Sequence, residues 1–327
     1  MKYLTFLRTL AIVGWISLFM GAAHAQAFPT KPIKIVVGYG PGGAADLTAR
    51  VYAEKLSAVL NTPVIVENKA GAFEQLAAQA VLASPPDGHM LWLGTAGALT
   101  MGPGVRSDIP YDVIKNFTQV ARIGEVEAVL AVRNELPVNS LPELISYAKA
   151  NPNKLFFATA GVGSGNHLLT EYIMNVTGIK MTHVPFKGDV DVARELTAGT
   201  VDFGIPVAAQ AVPFVNDKKF KAIAVTGTQR LKALPKVPTM GESVDALKSS
   251  GVYSIYALLG PAGIPASVVQ TLNEALNKVA RMPEVSQRLD GIYVKATTSA
   301  PNEVRQYLET EGNKWRELGK TLNIKFN

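Results

Sequence analysis

Gly38, Gly40, Pro41, Gly42 and Gly43 crowd together directly after an apolar run, Ile33-Lys34-Ile35-Val36-Val37. A β-branched run of this kind suits a buried parallel strand. The alanines that follow, with Leu47, Val51 and Leu56 along one face, suit a helix packing back on a sheet. Strand, glycine turn and helix start together present free backbone N–H groups and the positive end of a helix dipole. Such a turn binds an anion without a charged side chain. The chemistry that fits is recognition of a small carboxylate. Gly38, Gly40 and Gly43 also satisfy G-x-G-x-x-G, and a second strand-like run, Val64 to Val66, ends at Glu67, where a ribose-binding acid would stand. A dinucleotide site is therefore a formal alternative, although Pro41 removes one N–H donor that would face a pyrophosphate.

The same design recurs roughly 120 residues later, where Leu155 to Thr159 leads into Ala160-Gly161-Val162-Gly163-Ser164-Gly165-Asn166-His167 and a helix from about Leu168. Two such units suggest two lobes, each offering one helix end to an anion; plain strand-to-helix connection is the alternative for either loop alone. Gly-Val-Gly-Ser-Gly-Asn is not the G-x-S-x-G of a nucleophilic serine, and no base stands beside Ser164, which argues against a hydrolase. His89, His167 and His183 lack metal-ligand spacing, so no metal site is expected; His167 is the one histidine placed near a ligand. Lys187 either pairs with a ligand carboxylate or sits on the surface at a helix start. Asp189 and Asp191 either meet an amine or, the commoner role, cap a helix. Glu74 reads as a first-turn acid favourable to a helix dipole. Tyr39 and Phe186 either flank a ligand chain or pack in the core.

The elements that position these residues belong to an exported chain. Lys2 and Arg8 precede an apolar stretch, Leu10 to Met20, that is too short to span a bilayer, and Ala23-His24-Ala25 forms an A-x-A cleavage site. Residues 1–25 are thus expected to be a signal peptide, and the remainder a soluble periplasmic protein. The chain has no cysteine, which excludes thiol catalysis, zinc-thiolate sites and disulfide frameworks. Of 32 basic and 26 acidic residues, removing Lys2 and Arg8 leaves a net charge of +4, scattered along the chain; nucleic acid is not an expected partner.

Strands are expected at Pro63 to Glu67, Met90 to Leu93, Val126 to Val132, Lys180 to Val184, Thr200 to Ile205, Lys221 to Thr226 and Tyr253 to Leu259. Helices are expected near Phe73 to Ser84, after a Ser140 cap with Pro142 and Glu143, from Gly188 to Ala198, and at Pro265 to Arg281, Met282 to Asp290 and Pro301 to Leu322. Alternation of strand and helix predicts an α/β fold of parallel sheets, with Gly38–Gly43, Asn68–Ala72 and Gly94–Ala98 at strand ends lining one cleft.

The stretches KPIKIVVGYGPGGAADLTAR, VIVENKAGA, PDGHMLWLGTAG, IPYDVIKNF, HVPFKGDVDVARELTAGTVDF, FKAIAVTGTQRLKALPKVPT and GPAGIPASVVQTLNEAL follow one another in this order. In these the chain resembles the Bug-type solute receptors of tripartite tricarboxylate transporters, over essentially all of its length after the signal. The resemblance implies a two-lobed, type II-like periplasmic binding protein fold, with residues 26–126 and 251–327 in one lobe and 127–250 in the other. Each lobe would be a mostly parallel sheet flanked by helices, with a ligand cleft between the lobes. It implies a monomeric receptor, without catalysis or cofactor, that clamps a carboxylate and hands it to membrane transporter subunits; a receptor for a membrane sensor kinase would share the same site. Carried over by residue, the first-lobe contacts are Tyr39, Gly42, Gly43, Thr95 and Ala96. The second-lobe contacts are Gly163, Ser164 and His167, with Phe186 and Lys187 nearby. Three positions depart from the family pattern. Phe73-Glu74 stands where Gly-Asn is frequent, Asp189 where Ser is frequent, and Pro206, beside Val207, where an acid is frequent. Loss of that acid favours a plain mono- or dicarboxylate, an aromatic one included, over an amino-dicarboxylate.

Overall fold

The computed structural model describes residues 28–250 and 254–320; the expected signal peptide and the residues beyond 320 lie outside them. Two sheets with flanking helices form two lobes. The first sheet has the order β11-β4-β10-β3-β1-β2. Its parallel half comprises β1 (Ile33–Val37), β2 (Val64–Asn68) and β3 (Met90–Thr95). Its antiparallel half comprises β4 (Phe117–Val126), β10 (Ser254–Pro261) and β11 (Val294–Ala296). The second sheet has the order β7-β6-β8-β5-β9, with β5 (Val129–Val132), β6 (Phe156–Thr159), β7 (Thr182–Pro185), β8 (Phe203–Gly204) and β9 (Lys221–Val225). In it β6 pairs in parallel with β7 and β8, while β5 is antiparallel to β8 and β9.

Each parallel half is built from strand-to-helix units. In the first lobe α1 (Ala44–Val59) follows β1, α2 (Gln75–Leu82) follows β2, and a π-turn (Gly97–Met101) continued by α3 (Gly102–Val105) follows β3. In the second lobe come α4 (Leu141–Ala150), α5 (Gly165–Thr177) after β6, α6 (Asp189–Ala198) after β7 and α7 (Ala208–Asn216) after β8. A short α8 (Met240–Ser243) precedes the return to the first lobe, where α9 (Ala266–Ala280), α10 (Pro283–Asp290) and α11 (Pro301–Gly319) complete the chain. Among the described residues no helix is long and apolar enough to cross a membrane.

The apolar run read as one strand, Val126 to Val132, is divided. Val126 ends β4 in the first sheet and Val129 begins β5 in the second, so the chain changes lobes at Glu127-Ala128. Most of β4 was not expected, because Thr118, Gln119, Arg122, Gly124 and Glu125 interrupt its apolar pattern. Its neighbours explain these residues. Gln119 is buried and donates to the carbonyls of Val113 and Phe117, and Gly124 leaves room for Val294 and Tyr256 of the flanking strands. Helix α7 was also unforeseen, since Pro213 lies inside it. Helix α5 starts at Gly165, inside the glycine loop, and not at Leu168. Ser140 caps α4 as expected, accepting from the Glu143 N–H, while Glu143 Oε2 accepts from the Asn139 N–H.

The core of the first lobe joins α1 to the sheet. Tyr52 of α1 is fully buried, and its hydroxyl donates to the Ile123 carbonyl of β4 at 2.7 Å. Tyr52→Phe keeps the ring and removes one buried hydrogen bond, so urea unfolding should show a loss of about 1 kcal/mol with an unchanged m-value.

Candidate functional site

A cavity of about 310 Å³ lies between the carboxyl ends of the parallel strands of the two sheets. Four helix starts reach it, the fourth being α7 through Val207 and Gln210. From the first lobe come Gly43, Ala44 and Ala45 at the start of α1; from the second come Ser164, Gly165 and Asn166 at α5, and Gly188 and Asp189 at α6. None of the four helices has a side-chain cap. Apart from the Asp191 N–H, which donates to the Gly188 carbonyl, and the Gln210 N–H, which donates to the Val207 carbonyl, their first-turn N–H groups lack the i−4 acceptor of a helix interior, and they carry the positive ends of the helix dipoles. The site can therefore hold an anionic group through backbone donors supplied by both lobes.

The glycine loops are held in place by side chains that bond the backbone. In the first, Asp46 accepts from the Gly42 N–H at 2.9 Å, from Asn68 Nδ2 at 2.9 Å and from Arg50. Burial raises the pKa of Asp46, but these bonds outweigh it and the carboxyl lies below its ordinary value. Gly42 has a φ of +85°, which suits glycine. In the second loop, Ser164 Oγ lies 2.6 Å from Asn166 Oδ1 and 2.7 Å from the Gly161 carbonyl, both acceptors for its single proton. Asn166 Oδ1 also accepts from the Ala160 N–H, and Asn166 Nδ2 donates to Asp189 Oδ1 at 2.9 Å.

Of the expected contact residues, Tyr39, Gly43, Thr95, Ser164 and Lys187 line the cavity. Gly42, Ala96, Gly163, His167 and Phe186 do not stand in its wall. His167 lies instead on the inward face of α5, 3% exposed, with Nδ1 accepting from the Gly163 N–H at 2.9 Å. Its ring stacks on His183 at 4.0 Å, and burial pushes His183 down to about 4, so His183 stays neutral. His167 thus fixes the loop. Among the described residues no group of acids and histidines could hold a metal.

Sequence reasoning missed Ser254, Tyr256, Val207 and Gln210, which also line the cavity. Ser254 and Tyr256 belong to β10, whose apolar sequence gave no sign of the cavity. Gln210 lies on the unforeseen α7. Asp189 and Asp191 both line the cavity, and neither is the N-cap of α6, a position held by Gly188. Asp191 does accept from the Lys187 N–H and pairs with Arg194 at 3.0 Å.

Glu74 is not a solvated first-turn acid. Ala72, Phe73 and Glu74 all have left-handed φ values of 44°, 56° and 63°, and this turn folds the Glu74 side chain inward. The carboxyl is 1% exposed and accepts from Trp92 Nε1 at 3.2 Å, the Thr95 N–H at 3.3 Å and Thr95 Oγ1 at 2.5 Å. Tyr39 OH lies 3.4 Å from Thr95 Oγ1, so Glu74 buttresses two residues of the cavity wall from behind. Burial pushes its pKa up to about 7, against the opposing hydrogen bonds from Thr95 and Tyr39.

Two predictions follow from this packing. A Cβ at Gly38 would stand 2.5 Å from Glu74 Cγ and 2.9 Å from its Cα, so Gly38→Ala should destabilise by about 1–3 kcal/mol in denaturant unfolding. Because the folded pKa of Glu74 is raised from 4.5 to about 7, the folded state binds the extra proton between these values. The stability Glu74 contributes is present below about pH 4.5 and lost as pH rises through about 7. Glu74→Gln should flatten the decline in Tm over that window; an identical Tm–pH profile would refute the assignment.

The match to known proteins spans the chain. The pattern of the tripartite tricarboxylate transporter family receptor, TctC, covers residues 48–324. The protein BugT of Bordetella pertussis is 30% identical over 323 residues, covering 96% of this chain and 98% of that one. Among solved structures, R. palustris Rpa4515 with adipate has a TM-score of 0.82 at 29% identity, covering 91% of this chain and 99% of that one. MatC from Rhodopseudomonas palustris with bound malate has a TM-score of 0.81 at 28% identity, covering 89% and 100%. The periplasmic binding protein BugD has a TM-score of 0.80 at 27% identity, covering 91% and 99%. With its family pattern, its curated relatives and its two-lobed fold in agreement, the chain belongs to the tripartite tricarboxylate transporter receptor family, the TctC or Bug-type solute-binding proteins.

Proposed function

We propose that this protein is a periplasmic receptor that captures a small carboxylate between its lobes and delivers it to a tripartite membrane transporter. The observation that carries the reading is the convergence of four uncapped helix starts, from both lobes, on one cavity. A site split between lobes gains contacts on both sides only when the lobes are together, so ligand binding favours the closed arrangement. Such closure gives a transporter a shape to distinguish loaded from empty receptor. Tyr39, Gly43, Thr95, Ser164 and Lys187 are the contact residues that the proposal keeps from the sequence; Gly42 and His167 hold the loops. No chemical step is needed. The adipate and malate named with the two R. palustris structures fit the same ligand class.

A thermal-shift screen tests this directly. The protein is refolded to strip bound ligand and offered mono-, di- and tricarboxylates, aromatic carboxylates, amino acids and NAD. A ligand at about a thousand times its Kd should add roughly 4 kcal/mol, a rise of several degrees in Tm. Loss of the shift with the matching amide or ester would support carboxylate recognition. A shift with NAD alone would overturn it.

A further inference from the structure

Two hydroxyls link the buried Glu74 carboxyl to the cavity. Glu74 Oε1 lies 2.5 Å from Thr95 Oγ1, and Thr95 Oγ1 lies 3.4 Å from Tyr39 OH. Thr95 and Tyr39 both line the cavity, whereas Glu74 stays behind the wall. Each hydroxyl has one proton to give, and an ionised carboxylate only accepts. While Glu74 is ionised, Thr95 and Tyr39 therefore turn their protons inward, and the Tyr39 oxygen offers lone pairs to the cavity. Once Glu74 is protonated, it donates to Thr95 Oγ1, Thr95 donates to Tyr39 OH, and the Tyr39 proton turns towards the cavity. The other groups packed around the carboxyl do not replace this chain. Trp92 donates to Oε2 in either state. Tyr111 and Tyr256 are raised by burial and, less, by the Glu74 charge, so both keep their protons. Arg106 lies over the Phe73 ring at 5.6 Å and pairs with Asp108. From the second lobe, Lys187, Asp189 and Asp191 face the same cavity.

We infer, resting on the carboxylate-receptor reading, that Glu74, Thr95 and Tyr39 form a proton relay, by which binding of a carboxylate takes up one proton onto Glu74 and turns Tyr39 from an acceptor into a donor towards the ligand. The proton comes from solvent. It passes from Tyr39 to Thr95 to Glu74, each hydroxyl releasing one proton as it receives one, so only Glu74 changes its proton count. Glu74 is a positioning residue that acts on the ligand through Tyr39. An anion in the cavity favours the protonated state for two reasons. It is an acceptor, which an ionised Glu74 would set against the lone pairs of Tyr39, and its charge disfavours a second negative charge behind the wall. Burial already pushes Glu74 up to about 7, within reach of one added charge. Well below that value Glu74 is neutral before the anion arrives and binding takes up nothing; above it each bound anion draws in a proton, so Kd rises with pH.

Two measurements test the relay. The probes are malate, adipate and benzoate, whose carboxyls stay ionised above about pH 6.5, together with the carboxylate that stabilises most in the thermal-shift panel. In calorimetric titration, Kd should rise about threefold to tenfold between about pH 6.5 and 8.5, and the heat at about pH 8 should vary with the ionisation enthalpy of the buffer as proton uptake requires. The indole N–H of Trp92 donates to Glu74 and so reads the carboxyl itself. Its NMR shift should titrate with pH, and a saturating probe should move the midpoint upward. Glu74→Gln should remove both the titration and the pH dependence of Kd. Tyr39→Phe keeps the ring and should shrink the pH dependence severalfold while Trp92 still titrates. Asp189, which burial also pushes up to about 7, is the competing source of a proton; uptake through it would survive Glu74→Gln and leave the Trp92 midpoint in place. That result, a Kd independent of pH, or full pH dependence in Tyr39→Phe overturns the relay but leaves the carboxylate reading intact. Absence of binding by these probes and by every other carboxylate of the panel overturns both.

Discussion

The site rests on backbone N–H groups that the protein itself leaves unbonded. Some helix starts in this chain are closed by a side chain, as Ser140 closes α4 and Thr239 closes α8 through a reciprocal box with Glu242. At α1, α5, α6 and α7, whose starts line the cavity, this does not happen. Asp46 turns back to Gly42, Ser164 turns to Gly161 and Asn166, and α6 begins after a glycine. The free dipole ends that remain lie in the wall of one cavity, where an anion gains backbone donors; at α1 and α5 no acid shares the cavity wall with them, whereas α6 brings Asp189 and Asp191.

Behind those donors each lobe keeps a carboxyl that burial holds near neutrality, Glu74 in the first and Asp189 in the second. Their surroundings differ, and so do their roles. Glu74 is enclosed by Trp92 and Thr95 and shapes the wall without reaching the cavity. Asp189 has one oxygen anchored by Asn166 and stands in the wall itself. The distinction comes from a backbone detail. The left-handed turn at Ala72 to Glu74 drives the glutamate inward, whereas the ordinary helical start at Asp189 leaves its side chain beside the ligand space.

The fold was legible wherever one strand and one helix form a self-contained unit. Ile33–Val37 with its glycine loop and helix, and the cap at Ser140, depend on neighbours in sequence. What sequence hid depends on neighbours in space. β4 carries polar residues because Gln119 bonds turns that pack on it, and β10 lends Ser254 and Tyr256 to a cavity formed by loops from distant parts of the chain. His167 follows a glycine loop, as a ligand contact might be drawn, yet its helix turns it towards Phe157 and His183 in the interior. The glycine pattern located the site, while the orientation of side chains on α5, α6 and α7 decided which residues face it.

The passage between lobes at Glu127-Ala128 is anchored unequally on its two sides. The Ala128 N–H donates to Thr226 Oγ1 at 2.8 Å, the Thr226 N–H donates to the Ala128 carbonyl at 3.0 Å, and Thr226 Oγ1 donates to Glu127 Oε2 at 2.9 Å. The Glu127 carbonyl accepts from the Ala208 N–H at 2.8 Å as well. Both residues are thereby part of the second lobe in mechanical terms. A rotation that keeps these bonds has its pivot on the far side of Glu127, against Val126, which β4 holds in register with Ser254 and Val294. Ser254 and Val126 also line the cavity, so the bonds that fix this crossing to the second lobe end directly beside the ligand space.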